Sequence, residues 1–426
     1  MPKFSYKLNS IDRLMLNFDQ VFRKQGKRGN VCAIRLTLKL EEAAAIKTLI
    51  ENDPCISELW NLRLKGNFFL GYAWQAGCDR RISVDVAKQG EDVPFDKLVG
   101  SVDLDPHKDS PPLRFKILET SRQCELLFFW HHSFMDAHGA ESLLYELLKF
   151  KKIDLNNLSE AAQNSSSGIK TLVDRFRSAT NLKKHIFKLA RQRISYFNKG
   201  RAGAADLVYR HIFFSKEETS KIDSNCERYG VGLYKSAYYL HSISGAFKNM
   251  LFRNGQEADD FFVPIPRDLR KRNSKRQTLG NHLSPMFLKV RSVDLENTDS
   301  SLESILAGIL ENISSNLHRK SQEFFSLLQR LPDSAYSKIL GAPTKGRHAS
   351  FYFSDTGDSL SKFDALESFE ILGLRHYPPH FFPPGLSFVF SRKSAMLCVA
   401  IVSDESLGNQ ADFDFLEQKI RSHLLA

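Results

Sequence analysis

Residues 124–139 read CELLFFWHHSFMDAHG, and the rest of the chain is organised around this stretch. Its first seven residues are apolar and rich in aromatic side chains, which predicts a buried strand. After Gly139, leucines recur at helical spacing, which predicts an amphipathic helix running to about residue 150. His131, His132 and Asp136 therefore lie where a buried strand ends and a helix begins. Such turns hold polar side chains on a rigid frame at the mouth of a pocket.

The composition is that of a folded, basic protein of more than one domain. The chain has 426 residues, of which 42% are hydrophobic, so we expect two or three domains and no general disorder. A formal net charge of +11 points to anionic partners such as nucleic acid, a membrane surface, a phosphorylated cofactor or an acidic protein. The six cysteines include no CxxC pair, which argues against a zinc site and a disulfide framework.

The sequence predicts no signal peptide and no membrane-spanning helix. No apolar segment follows the N-terminal residues, as a signal peptide would require. No stretch approaches the roughly 18 consecutive apolar residues of a transmembrane helix. We therefore expect a cytoplasmic protein, with peripheral contact at the inner face of a membrane left open.

Strand and helix patterns are similar in the two halves of the chain, which predicts two α+β domains with a cleft between them. We expect an N-terminal half at residues 1–155, a linker with a basic helix at 156–203 and a C-terminal half at 204–426. In the basic helix only Asp174 opposes the lysines and arginines. It would lie either on an anionic membrane or between the domains with its apolar side in the core. We favour the second interpretation.

Several elements are predicted from periodicity and breakers. The expected strands are at 31–40, 207–214, 261–265, 350–357, 386–390 and 395–402, the last two as a pair. The expected helices are at 41–52, where Pro54 ends the helix, and at 233–252 and 413–425.

The residues of the central stretch suggest acid–base chemistry. Histidine is the usual general base near neutral pH, so His132 could deprotonate a hydroxyl or an amine, with Asp136 orienting it or pairing with an arginine. The chain has no GxSxG, P-loop or GxGxxG motif. Direct attack of a base-activated acceptor on an activated ester needs no protein nucleophile, and acyl transfer from a thioester is one reaction of that kind that suits a lone histidine base. A purely structural role stays open. So does a metal site formed by His131, His132, Asp136 and His138, although adjacent histidines point in different directions and we expect no metal.

The run from His131 to Asp136 resembles the HHxxxDG signature of an acyltransferase superfamily. That superfamily includes nonribosomal-peptide condensation domains, chloramphenicol acetyltransferase, alcohol acyltransferases and the wax ester synthase/diacylglycerol acyltransferases. Three further segments resemble members and come in the expected order: Pro112-Leu113-Arg114, Leu279-Gly280-Asn281 and Phe353-Ser354-Asp355-Thr356-Gly357. The resemblance covers most of the chain. It implies two chloramphenicol-acetyltransferase-like domains in a pseudo-dimer, with a tunnel that admits donor and acceptor from opposite faces.

The same resemblance implies roles for the residues of the signature. His132, as the second histidine, would be the general base, with His131 in support. Asp136 would be mainly structural and would pair with an arginine of the second half, for which we choose Arg270 and, second, Arg267.

Two further residues are candidates to stabilise the acyl oxygen, where negative charge develops during acyl transfer. These are Asn281 and Ser354, although for both we favour the alternative of an ordinary turn role. Ala137 stands where the signature has glycine. It is harmless if its φ is negative and strained if its φ is positive.

Taken together, these patterns predict an acyltransferase. It would move an acyl group from coenzyme A or a carrier-protein thioester to a hydroxyl or amine, with no covalent intermediate and no bound cofactor. The apolar content favours a fatty acyl chain or a lipid acceptor, and an acyl carrier protein is a candidate partner. The alternative is a non-catalytic, condensation-like module that binds a carrier protein or a lipid. Nucleic acid is not expected, because few aromatic residues alternate with the basic ones.

Overall fold

The computed structural model describes most of the chain. The described residues are 4–67, 69, 71–77, 80–88, 95–155, 158, 172–190, 195–197, 206–270, 278–342, 346 and 348–426. Of the linker and basic helix expected at 156–203, residues 156–157, 159–171, 191–194 and 198–203 lie outside these ranges, as do the side chains of 172–176 and 178.

Strands and helices are distributed over both halves of the described chain. The strands are β1 (Ser5–Lys7), β2 (Val31–Lys39), β3 (Leu62–Asn67), β4 (Gly71–Ala76), β5 (Asp85–Lys88), β6 (Leu113–Glu119), β7 (Gln123–His131), β8 (Leu207–Phe213), β9 (Phe261–Asp268), β10 (Leu283–Val290), β11 (Tyr352–Asp355), β12 (Ile371–Tyr377), β13 (Leu386–Lys393) and β14 (Met396–Asp404). The helices are α1 (Ser10–Lys24), α2 (Ala43–Asn52), α3 (Pro54–Trp60), α4 (Phe95–Ser101), α5 (Ala137–Leu148), α6 (Leu172–Ala190), α7 (Lys216–Arg228), α8 (Lys235–Arg253), α9 (Thr298–Ser314), α10 (Leu317–Leu328), α11 (Asp333–Gly341) and α12 (Gln410–Leu425).

The N-terminal lobe is built on a sheet with the strand order β12-β2-β7-β6-β5. Strand β7 lies at its centre, antiparallel to β2 and β6. One face of β7, which includes Phe128 and Trp130, packs in the core of this lobe with leucines of α5. The other face, which includes Leu127 and Phe129, packs against residues of the C-terminal lobe. Burial on both faces explains why this strand is continuously apolar.

One strand of this sheet comes from the far end of the chain. Strand β12 pairs antiparallel with β2, with Arg375 opposite Arg35 and His376 opposite Ile34. The C-terminal half therefore completes the N-terminal sheet, which the division at residue 204 did not anticipate. Pairing between segments so distant in sequence leaves no local pattern that would reveal it.

The C-terminal lobe has a sheet with the order β11-β13-β14-β8, and β9 and β10 form a separate antiparallel pair. The paired strands expected near the C-terminus are β13 and β14, which are antiparallel over their whole length. Helices α8 and α12 pack on each other and contribute to a core of buried residues such as Ile243, Phe247, Phe388 and Leu416. Helix α8 is buried on most sides, which accounts for its many apolar residues.

The basic helix α6 packs between structural elements of both lobes. Its apolar side, with Ala179, Leu182 and Ile186, is buried in a cluster with α1, α10 and α11. Lys184 and Lys188 on the other side are exposed. This is the arrangement of an interdomain helix, in which these three apolar side chains pack inside the protein. No helix in the described part of the chain is long and apolar enough to cross a membrane.

The two large sheets meet beside β12. The rings of Tyr209 on β8 and Tyr377 on β12 lie 5.2 Å apart, centroid to centroid. The ring nitrogen Nε2 of His211 lies 2.8 Å from the backbone carbonyl oxygen of His376, which accepts its hydrogen. The seam between the lobes is thus built from buried aromatic side chains and a direct hydrogen bond.

Candidate active site

The turn from β7 to α5 is fixed by its own side chains. Asp136 is the N-cap of α5 and accepts a hydrogen bond from the backbone N–H of Gly139 at 2.8 Å. The indole N–H of Trp130 donates to the carbonyl of Met135 at 2.9 Å. Ala137 is the first residue of α5 and is not among the described residues with positive φ. The departure from glycine at this position therefore introduces no backbone strain.

The start of α5 lies directly against the segment 279–281 of the other half. A Cβ atom on Gly139 would lie 2.8 Å from the carbonyl oxygen and 3.1 Å from the amide nitrogen of Gly280. Gly280 itself has a φ of +86°, a conformation that glycine adopts without strain. Glycine at positions 139 and 280 therefore allows the backbone of residues 279–281 to pack directly against the first turn of α5.

Asp136 is buried and holds an ion pair across the lobes. Arg270 donates to both of its carboxylate oxygens, at 2.9 and 2.8 Å, and the backbone N–H of His282 donates to Oδ2 at 2.8 Å. Burial raises the pKa of Asp136, but Arg270, His138 and the His282 amide outweigh it and lower that pKa to about 2. Asp136 is thus ionised, and both of its carboxylate oxygens accept hydrogen bonds from other groups of the protein.

The chosen partner, Arg270, is the arginine that the structure places at Asp136. Its guanidinium also donates to the carbonyls of Thr278 and Gly280. Burial lowers the pKa of Arg270, but Asp136 outweighs burial and raises it. Arg267, the second choice, lies instead with Nη1 3.2 Å from Nδ1 of His318.

His131 is fully buried and turned away from the cavity. Its Nδ1 accepts the backbone N–H of Ser133 at 3.1 Å and lies 2.7 Å from the Ser133 hydroxyl. Its Nε2 lies 3.1 Å from Oδ1 of Asp19. Burial raises the pKa of Asp19, but His131 and Arg23 outweigh it and lower that pKa to about 2. The ionised Asp19 therefore lies against the ring of His131, and sequence reasoning missed this contact.

His132 is held by its backbone while its ring lines the cavity. Its N–H donates to the carbonyl of Asn30 at 2.9 Å, and its carbonyl accepts from Nδ2 of Asn281 at 2.7 Å. Burial lowers the pKa of His132, with His131 adding to the effect, and Asp136 and Asn281 oppose it only partly. The imidazole is therefore neutral near pH 7. Its ring does not contact Asp136, whose oxygens bind Arg270.

Asn281 donates one of its amide hydrogens to the backbone carbonyl of His132. Its second amide hydrogen goes to Oδ1 of Asp12 at 2.7 Å. Both amide hydrogens are therefore used, and the expectation that Asn281 donates to an acyl oxygen does not fit this geometry. Asp12 is itself buried and accepts from Tyr6 and from the backbone N–H of Asn9. These hydrogen bonds lower the pKa of Asp12, but burial outweighs them and raises that pKa to about 7.

A largely apolar cavity of about 220 Å³ lies between the lobes in front of His132. The N-terminal lobe contributes residues such as Cys32 and Trp130, the C-terminal lobe contributes Phe262 and Phe388, and α6 contributes Ile186. The polar side chains in its wall are His132, Lys183, His348, Tyr352, Ser354, Thr356, His376, Tyr377 and Ser387. Ser354, a candidate from the sequence, is part of β11 and does not lie in a turn.

The cavity wall also contains His376, which was not predicted. His376 on β12 has its Nε2 2.9 Å from Oε1 of Glu141 on α5, and both residues are buried. The sequence carried one signal for Glu141: this carboxylate shares the apolar face of α5 with Leu144 and Leu148. No sequence pattern pointed to His376 as its partner.

The alternative of a metal site has no support from the geometry of the central stretch. His131 is engaged by Asp19 and Ser133, and Asp136 is engaged by Arg270. Across the described residues, no group of three or more His, Cys, Asp and Glu side chains is arranged to hold a metal ion.

Comparison with known proteins places the fold. No protein-family model and no curated protein matches the sequence. Among solved structures, the trichothecene 15-O-acetyltransferase of Fusarium sporotrichioides aligns over 99% of this chain and 95% of that one, at 11% identity and a TM-score of 0.70.

Two nonribosomal-peptide synthetase structures are similar as well. The cyclization-docking bidomain of Sorangium cellulosum aligns over 98% of this chain and 85% of that one, at 11% identity and a TM-score of 0.65. The starter condensation domain of rhizomide synthetase, in complex with C8-CoA and Leu-SNAC, aligns over 99% and 94%, at 13% identity and a TM-score of 0.64. The chain therefore has the two-lobed, chloramphenicol-acetyltransferase-like α+β fold of this acetyltransferase and these condensation-type domains, as the HHxxxD resemblance implied.

Proposed function

We propose that the protein is an acyltransferase in which His132 activates the acceptor. The observation that carries this proposal is the position of His132. Its imidazole lines an apolar cavity between the two lobes, and burial lowers its pKa. Its backbone N–H donates to the carbonyl of Asn30, and its backbone carbonyl accepts from the amide of Asn281. The fold, which is shared with an acetyltransferase and with condensation-type domains, supports the same class of reaction.

In the proposed reaction, one ring nitrogen of His132 accepts the proton of the acceptor's hydroxyl or amine. Nδ1 is buried and has no partner among the described neighbouring residues, which leaves Nε2 to meet the acceptor. The acceptor's oxygen or nitrogen bonds to the thioester carbonyl carbon, and the carbon–sulfur bond breaks. The imidazolium then returns its proton to the thiolate, so the products are an ester or amide and a free thiol.

Two other features suit this chemistry. The apolar wall excludes water, which would otherwise compete with the acceptor for the thioester. The Ser354 hydroxyl lines the cavity and is our candidate donor to the acyl oxygen as negative charge develops there. Asp136 and Arg270 would act by holding the motif in place, because their polar atoms bind each other and neighbouring backbone groups.

For the donor we propose an acyl thioester of coenzyme A or of a carrier protein. An apolar cavity of this size suits an acyl chain, and the net charge of +11 suits a phosphorylated or acidic donor. The related starter condensation domain was crystallised with C8-CoA. A medium-length acyl-CoA is therefore the first donor to try.

The test is release of free thiol from a panel of acyl-CoA and carrier-bound donors in the presence of alcohols or amines, with the ester or amide identified by mass spectrometry. Removal of a general base lowers the rate by roughly 100-fold to 10,000-fold, so we expect His132→Ala to lose most of the activity. The matched control is His318→Ala, a buried histidine outside the cavity lining, which should retain it. Equal activity of His132→Ala and the wild type would refute the proposal. Wild-type inactivity on every donor would favour the non-catalytic binding module.

A further inference from the structure

The wall of the cavity contains His376, whose imidazole is paired with the buried carboxylate of Glu141. His376 lies opposite Ile34 across β12 and β2, and Cys32, two residues before Ile34, lies opposite Trp130. Side chains two apart on a strand, and those directly opposite on neighbouring strands, share one face of the sheet. His376 therefore projects from the same face as Cys32 and Trp130, and all three line the cavity.

Glu141 orients the imidazole of His376. It is fully buried, and its carboxylate lies 2.9 Å from Nε2 of His376, 2.9 Å from the Ser359 hydroxyl, 3.4 Å from Nδ1 of His138 and 3.6 Å from Nζ of Lys362. Burial raises the pKa of Glu141, but the two histidines outweigh it and lower that pKa. An ionised carboxylate only accepts hydrogen bonds, so Nε2 of His376 carries a hydrogen. In the tautomer that has its one ring hydrogen there, Nδ1 has a lone pair that can accept a hydrogen bond.

We infer that His376, held by Glu141, is a specificity-determining residue that accepts a hydrogen bond from a second hydroxyl or N–H group of the acyl acceptor. This inference rests on the proposed function and deepens it, because it names the acceptor class: an apolar molecule with two hydrogen-bond donors. One donor is acylated at His132, and the other binds His376. In sites with a mostly apolar wall, hydrogen bonds to individual polar groups of the wall fix the orientation of the ligand.

The test compares two probes of equal chain length, n-octanol and its terminal vicinal diol, in wild type, His376→Leu and the control His318→Leu. Binding is followed by tryptophan fluorescence, since Trp130 lines the cavity. One hydrogen bond is worth about a factor of ten in affinity. We expect the diol-to-octanol affinity ratio to fall about tenfold in His376→Leu and to stay unchanged in His318→Leu. An unchanged ratio in His376→Leu, or no binding of the diol to wild type, overturns the inference.

A second variant, Glu141→Gln, changes the orienting group instead of the imidazole. The amide of Gln can donate to Nε2, which moves the ring hydrogen to Nδ1 and converts the cavity face of His376 from acceptor to donor. We expect the preference for the diol to fall and binding of the matching methyl ketone, which only accepts, to tighten by about the same factor. No change in either ratio would contradict the orienting role of Glu141.

The thiol-release assay on the same variants separates this inference from the proposed function. In one outcome the diol-to-octanol affinity ratio falls in His376→Leu, but wild type releases no thiol. That result supports the binding site at His376 and refutes the transferase. In the other outcome both alcohols are acylated, and the ratio of kcat/KM for the diol to kcat/KM for octanol is the same in His376→Leu as in wild type. That result refutes the inference and supports the transferase.

Discussion

Replacement of Asp136 by Asn tests the ion pair that joins the two lobes at the motif. The pKa of Asp136 falls from its ordinary 3.8 to about 2 in the folded protein. Each pKa unit corresponds to about 1.4 kcal/mol, so ionised Asp136 stabilises the folded state by about 2.5 kcal/mol at neutral pH. The amide also turns an N–H towards Arg270 or the His282 amide, which leaves a buried donor without an acceptor at a further cost of about 1–3 kcal/mol.

We therefore expect Asp136→Asn to lower the free energy of unfolding by about 4 kcal/mol, within the range for breaking a buried ion pair. The measurement is urea unfolding followed by tryptophan fluorescence at pH 7. The matched control is Glu370→Gln, which removes a carboxylate from an exposed pair with Lys39 and should change stability by less than about 1 kcal/mol.

The pH dependence gives a second check on the same variant. Because the folded-state pKa is depressed, the stabilisation by Asp136 is complete above its ordinary pKa of 3.8 and disappears as the pH falls towards 2. The difference between wild type and Asp136→Asn should therefore narrow below pH 4. A loss under about 1 kcal/mol at pH 7, or a difference that stays constant down to the lowest pH at which both proteins fold, would refute the reasoning.

Three further predictions concern the close contact, the base and the basic helix. Gly139→Ala should destabilise the fold by about 1–3 kcal/mol, because its Cβ would lie 2.8 Å from the carbonyl oxygen of Gly280. The control is Gly100→Ala, whose Cβ would meet only an ordinary contact at 3.6 Å. It should leave the free energy of unfolding unchanged in the same urea titration. Burial lowers the pKa of His132, so the kcat/KM for acyl transfer should fall on acidification with a midpoint below 6.5, and a midpoint above 6.5 would contradict this. Leu182→Ala removes a fully buried side chain from α6 and should lower the free energy of unfolding by about 2–5 kcal/mol. Replacement of the exposed Lys184 by alanine should leave that free energy almost unchanged. Equal stability of the two variants would contradict the packing of this helix in the core.

The sequence revealed the local elements because their patterns depend on neighbouring residues. The strand expected at 124–130 is β7, and the helix expected after Gly139 is α5, which begins two residues earlier because Asp136 caps it. It ends at Leu148, and Phe150 adopts a left-handed φ of +54°. Pro54 does not merely end a helix. It opens α3, with Asp53 as the N-cap, because proline fits the first turn of a helix.

Contacts between distant residues could not be predicted in this way. The entry of β12 into the N-terminal sheet, the pairing of Asp19 with His131 and that of Glu141 with His376 each join segments far apart in the chain. The proximity of Arg270 to Asp136 was expected only through the family resemblance, since nothing local distinguishes it from Arg267. Asn281 was found in the same way, but its contacts with Asp12 and the His132 carbonyl depend on folded geometry.

Direct transfer assisted by His132 is the central claim, and rapid-mix thiol release tests it most directly. Wild type and His132→Ala would be mixed with an acyl-CoA, with and without an alcohol acceptor, and the intact protein mass recorded alongside. The account predicts thiol release only when both His132 and the acceptor are present, with no mass gain on the protein. A burst of one thiol per protein without acceptor, matched by an acylated protein mass, or undiminished release by His132→Ala, would contradict it.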